Sequence, residues 1–114
     1  MYVNVELDDK PRRLRYQYND IADVEEKAGL GIAAIFNEDR IGFHSIRLLI
    51  WGGLKWADHG LTIHRAGDLL QEYLSRGGDL ADLMEKVRQA LEQSGIMKFG
   101  AAEDKEEGNP EAGA

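Results

Sequence analysis

The sequence predicts an α+β domain in which an N-terminal β-hairpin is followed by a bundle of four to five short helices. Three observations lead there. Apolar and polar residues alternate with period two near the N-terminus, apolar residues recur at helical spacing from Ile21 onward, and one central helix, Ile46 to Trp56, is apolar on several sides. With 114 residues and 43% apolar content, the chain is long enough for one domain with a modest core. That domain is expected over residues 1–97, with residues 98–114 forming a disordered acidic tail.

The hairpin is read first. Val3, Val5 and Leu7 fall on one face of a first strand, Leu14, Tyr16 and Tyr18 on one face of a second, and Asp8 to Pro11 supply turn chemistry between them. On the opposite faces Asn4 and Glu6 meet Arg13 and Arg15, and a cross-strand pair of opposite charge contributes about 0.2–1 kcal/mol. A lone hairpin is marginal and leaves both edges unpaired. It must therefore pack on the helices or take further strands, at its Val3 or Leu14 edge, from another copy of the chain.

Asn19 is suited to cap a helix from Asp20 to about Ala28, with Asp20 and Asp23 favouring its N-terminal dipole and Ile21, Val24 and Ala28 as its inward stripe. Gly29 is placed to stop it in the left-handed conformation. Glu25 and Glu26 are read as its solvated face, and Gly31 to Phe36 as another short helix.

The central helix carries Ile46, Leu48, Leu49, Ile50, Trp51, Leu54 and Trp56, interrupted by Gly52 and Gly53. A surface helix needs one apolar stripe, so this one calls for burial from several directions, by a wrapped core or by a partner chain. Each glycine inside a helix costs about 0.5–1 kcal/mol relative to alanine, which close packing within the chain or a smooth groove for another subunit would offset. Trp51 and Trp56, five apart, point different ways, leaving one as a candidate interface anchor. Leu48, Trp51, Gly52, Gly53 and Trp56 are thus the candidate protein-interface residues. Asp58, His59 and Gly60 break the helix, and Thr62 caps the next, which places Ile63, Ala66, Leu70, Tyr73 and Leu74 at helical spacing. After a Gly77–Gly78 hinge, Asp79 caps a last helix with Leu80, Leu83, Met84, Val87, Ala90 and Leu91, stopped by Gly95.

The formal charge of −7 is unevenly spread: Glu103, Asp104, Glu106, Glu107 and Glu111 against Lys105 put −4 in residues 101–114, leaving −3 for the rest. That terminal stretch has no large apolar group, so it is expected to be solvated. Basic residues are scattered without a basic stripe, which disfavours nucleic acid as a partner. No apolar run reaches the ~18–20 residues of a membrane span, so no membrane partner is expected. The lack of cysteine removes disulfides and thiol chemistry, and Tyr2 to Leu7 does not resemble a signal peptide. A cytoplasmic location is the expectation.

Catalytic signals are thin. Gly29-Leu30-Gly31 is too short for a dinucleotide fingerprint and follows a helix where that motif should follow a strand. His44, His59 and His64 lack the spacing of a zinc set such as His-x-x-x-His. No nucleophile, acid–base pair, metal or cofactor is expected, and the chain is read as a binding protein rather than an enzyme.

The order of the elements carries a resemblance. An Arg13-Leu14-Arg15 strand, an acidic helix from Asp20 ending at Gly29, the Leu49 to Leu54 run Leu-Ile-Trp-Gly-Gly-Leu, and a Gly60-Leu61-Thr62 loop opening a helix with Ala66-Gly67-Asp68-Leu69-Leu70 follow one another over residues 2–95. In this the chain resembles the small tail assembly chaperones of long-tailed phages, prophages and gene transfer agents, the group sometimes labelled tail tube or gp10-like. The resemblance implies a non-enzymatic role in the host cytoplasm, binding the tape-measure protein and tail-tube subunits during tail morphogenesis, with several copies on one client. The other reading is a small homo-oligomeric adaptor or regulator. Both imply a homo-oligomer, with the Leu48 to Trp56 helix in its interface.

Overall fold

The computed structural model describes residues 1–37 and 41–97; the expected acidic tail lies outside the described residues. Strand β1 (Val3–Glu6) pairs antiparallel with β2 (Pro11–Leu14), and five helices follow: α1 (Tyr18–Ala28), α2 (Ile32–Asn37), α3 (Phe43–Leu54), α4 (Ile63–Ser75) and α5 (Leu80–Gln93). The predicted α+β class and hairpin-then-helices order are what the structure has.

The register sets Val3 opposite Leu14, Asn4 opposite Arg13, Val5 opposite Arg12 and Glu6 opposite Pro11. Asn4 and Arg13 are neighbours as expected, whereas Glu6 has no arginine across from it. Arg12 instead reaches into the turn, donating to both carboxylate oxygens of the buried Asp8 at 3.1 and 3.0 Å. This hydrogen bond holds the Asp8 carboxyl below its usual range against the opposing effect of burial. Both strands are shorter than their periodicity suggested: Leu7 and Tyr16 lie past the strand ends yet are buried, and Tyr18, expected on the buried face, is 73% exposed.

Tyr18 departs from that face because the helix begins there. Gln17, not Asn19, is the N-cap of α1, and its N–H donates to the Asp20 carboxylate at 3.0 Å, which fixes the chain's entry into the first turn. Asp20 is consequently buried rather than merely near the dipole. Its other oxygen accepts from the Lys55 ammonium at 2.8 Å, and Lys55 also pairs with Asp23 at 2.9 Å, tying the end of α3 to α1. Burial pulls the Lys55 ammonium down, and the bonds to Asp20 and Asp23 more than reverse it, leaving it above its usual range. Glu25, read as solvated, accepts from the Ile32 N–H at 2.6 Å and so satisfies a free donor at the start of α2. Gly29 ends α1 at φ 73°, as expected, and its N–H donates to the Glu25 carbonyl.

Helix α3 is the axis of the domain. Leu48, Leu49 and Ile50 are consecutive and each 0% exposed, a pattern possible only because α1, α4, α5 and β2 pack around the helix from different sides. Gly52 and Gly53 are where the packing is tightest: a Cβ on Gly52 would lie 2.3 Å from Val24 Cγ2, and one on Gly53 would lie 2.7 Å from both Leu14 Cδ2 and Tyr16 Cζ. The Tyr16 hydroxyl donates to the Leu49 carbonyl, anchoring the ring against α3. Burial and the nearby Asp20 charge push that phenol far above its usual range, so it stays a neutral donor.

The turn after α3 closes the outer edge of β2. The Arg15 N–H donates to the Gly53 carbonyl at 2.9 Å, and the Trp56 indole N–H donates to the Arg13 carbonyl at 3.1 Å. Pro11 has no N–H to offer. An added strand at Leu14 therefore finds the edge occupied. Further on, Thr62 and Asp79 cap α4 and α5 as predicted, accepting from the Arg65 and Ala81 N–H groups. The Gly77–Gly78 turn between them is held shut rather than free to hinge, because the Tyr73 hydroxyl donates to the Asp79 carbonyl at 2.7 Å and accepts from the Asp79 N–H at 3.0 Å.

Candidate functional site

The residues singled out as interface candidates are brought together by the fold, but mostly inward. Leu48, Gly52 and Gly53 are buried within the chain, against residues of α1 and β2 in the case of the glycines. They are unavailable to a partner, which corrects the expectation that this helix face forms an interface. The physical reason is that α1 and β2 pack onto it. Trp51 is half-buried with the Lys55 ammonium 5.4 Å from its ring centre. Trp56 is not on the helix but in the turn after it. Its ring stacks on Tyr2 at 6.4 Å between centroids and carries the Arg15 guanidinium at 4.2 Å, while Arg13 covers Tyr2 at 4.8 Å. The four side chains form a ladder on the outside of the hairpin that shields the β2 edge.

The apolar surface that stays open lies at the other end of α3. Helix α3 begins at Phe43, three residues before the predicted start, and so projects Phe43, 78% exposed, beyond the packed core. Along α4, Leu70 and Leu74 follow each other at i and i+4, with Leu74 39% exposed. With Leu80 from the start of α5, these residues wall an open groove of about 530 Å³ floored by Ile46. Its polar lining among the described residues is His44, Arg47 and Gln71, with no carboxylate among them. An Arg47 Nη donates to His44 Nδ1 at 2.9 Å, and the Arg47 Nε is buried without a hydrogen-bond partner. Gly67 gives the arginine its bed: a Cβ there would stand 3.0 Å from Arg47 Cδ.

Sequence reading missed this groove. Leu70 and Leu74 share the helical spacing of the buried Ala66, and a start at Ile46 leaves Phe43 outside the predicted helix. The available signal was the continuation of the α4 apolar row through Leu74 to the next turn, on a side the domain does not cover.

His44 lies in the groove, His59 bonds the Trp56 carbonyl through Nε2, and His64 is exposed on α4; among the described residues no three His, Cys, Asp or Glu side chains are grouped to hold a metal. Among the described residues no helix is long and apolar enough to cross a membrane. Comparison with protein-family models, with curated proteins and with solved structures finds no match.

Proposed function

We propose that the chain is a non-enzymatic tail assembly chaperone of a phage, prophage or gene transfer agent, acting in the host cytoplasm on the tape-measure protein and on tail-tube subunits. The observation that carries this reading is the open apolar groove of Phe43, Leu70, Leu74 and Leu80, lined by residues of three helices. Such a groove suits a helical client, since a tape-measure protein is long, helical and prone to aggregate in free form. The element order that resembles the chaperone family adds to it. In this mechanism several copies, associated with one another, coat successive stretches of the client, keep it extended while tube subunits polymerise around it, and then leave.

Co-expression tests the reading. If a very long helical reading frame lies beside this gene, its product is expressed alone and with the chain, and its soluble fraction is measured. A client that moves from pellet to supernatant and co-purifies with the chain is the expected result. A client equally insoluble in both cases, or the absence of such a reading frame, overturns the proposal.

A further inference from the structure

We infer that the groove between α3, α4 and α5 recognises a helix from a different chain by charge as well as by shape: the helix lays a row of aliphatic side chains on Phe43, Leu70 and Leu74 and turns a carboxylate toward Arg47. This rests on reading the groove as the client site, and specifies what a client segment must present there.

The occupant is helical because of what the walls lack. All of the lining residues belong to α3, α4 and α5, whose interior backbone groups are bonded within the helices. A groove without a strand edge cannot satisfy the N–H and C=O groups of an extended peptide, whereas a helix satisfies its own. Leu70 and Leu74, one turn apart, present a ridge along α4 with Phe43 across from it, the arrangement that receives side chains at i, i+3 and i+4 of a docked helix.

The carboxylate follows from the groove's charge. In a chain of formal charge −7, the described residues that line this surface include one arginine, one histidine and one glutamine, and no acidic residue. Among the described residues Arg47 has His44 as its hydrogen-bond partner and no carboxylate within ion-pair distance, and its Nε is buried and unpaired. A guanidinium presents a fork of donors that suits a carboxylate, and here one arm is spent on His44 while no carboxylate of the described residues meets the rest.

The same facts argue against a second copy. Groove-to-groove pairing about a two-fold axis brings two linings that carry Arg47 and His44 together, with no acidic residue among the described lining residues to compensate. Outside the groove the exposed large apolar side chains of the described residues are Met1, Tyr2, Tyr18, Leu30 and Ile96, and only Tyr18 lies on a helix. Among the described residues, therefore, no helix of another copy carries an exposed aliphatic row outside the groove.

A helical peptide library with a fixed leucine row and randomised flanking positions, selected on the full-length chain, provides the test. Retained peptides are expected to carry Asp or Glu on one flank of the row, to bind Leu74→Asp and Phe43→Asp at least tenfold more weakly, and to give way to Lys- or Arg-bearing peptides when the selection is repeated on Arg47→Glu. Phe43 is exposed enough for its replacement to leave the fold intact, which a thermal melt of each variant verifies. Failure to retain any peptide, retention of peptides with basic or neutral flanks, or undiminished binding to Phe43→Asp overturns the inference. The selection uses no tail protein, so its success beside a failed client rescue sinks the chaperone reading alone, and a client rescue beside a failed selection sinks this inference alone.

Discussion

Gly53→Ala should destabilise the fold, although alanine is the better helix former. A Cβ at this position would lie 2.7 Å from Leu14 Cδ2, 2.7 Å from Tyr16 Cζ and 2.8 Å from the Tyr16 hydroxyl oxygen. Leu14 is fully buried, and the tyrosine ring is fixed by its bond to the Leu49 carbonyl, so neither moves freely. Overpacking a close-fitted core costs about 1–3 kcal/mol, and breaking the buried hydroxyl bond to make room costs about 1–3 kcal/mol more. The gain in helix propensity returns about 1 kcal/mol, which leaves a net loss of about 1–5 kcal/mol, centred near 3. For a domain of this size, about 3 kcal/mol corresponds to a drop of about 12–24 °C in Tm. Thermal unfolding followed by far-UV circular dichroism measures it, with Gly60→Ala as the control, because a Cβ at Gly60 meets nothing within 4 Å. A Gly53→Ala protein as stable as the wild type would refute the packing argument. If it were also less associated, the glycine would belong to an interface after all.

Three further outcomes are expected. Trp56→Ala, which removes the bond to the Arg13 carbonyl and the stack on Tyr2 and Arg15, should cost about 2–4 kcal/mol in urea unfolding; an unchanged midpoint with a smaller particle by light scattering would make it an interface anchor instead. Arg12→Ala should destabilise at pH 7 and progressively less in acid. The Asp8 carboxyl, held low in the folded state by Arg12, contributes stability that is present above its unfolded pKa of about 3.9 and is lost as pH falls through the lower folded value, so a wild-type-to-variant gap that is the same at pH 3 as at pH 7 would contradict the assignment. Truncation after Gly100, which removes a stretch without large apolar residues, should leave the thermal midpoint unchanged, and a large drop would show that the segment docks.

What was legible in the sequence was whatever short-range chemistry decides. Thr62 and Asp79 announce helix starts because a side-chain oxygen next to an apolar periodic run has one obvious use, and Gly29 announces a stop for a similar reason. The start of α1 was misplaced because Asn19 is the better cap by type, while the actual start depends on Asp20 reaching back to Gln17 and across to Lys55, 35 residues away in the chain. The burial of Leu48, Gly52 and Gly53 within the chain was not legible for a related reason. Apolar residues on all sides of α3 state that the helix is surrounded, without stating by whom, and only the folded chain identifies α1, β2, α4 and α5 as the cover. The groove was hidden because Phe43, Leu74 and Leu80 lie on three elements, and their exposure becomes visible only once the elements that could have covered them are seen to lie elsewhere.

The closing of the β2 edge from the far end of α3 has a consequence for how the chain is made. Arg13 and Trp56 are 43 residues apart, and the hairpin leaves the ribosome before α3 does. Until Gly53 and Trp56 have emerged from the exit tunnel, the nascent hairpin has neither its apolar support nor its shielded edge. A translational pause placed between the codons for Leu14 and Gly53 would thus expose a two-stranded ribbon able to pair with the nascent chain of a neighbouring ribosome, and a pause placed well after Trp56 would be harmless.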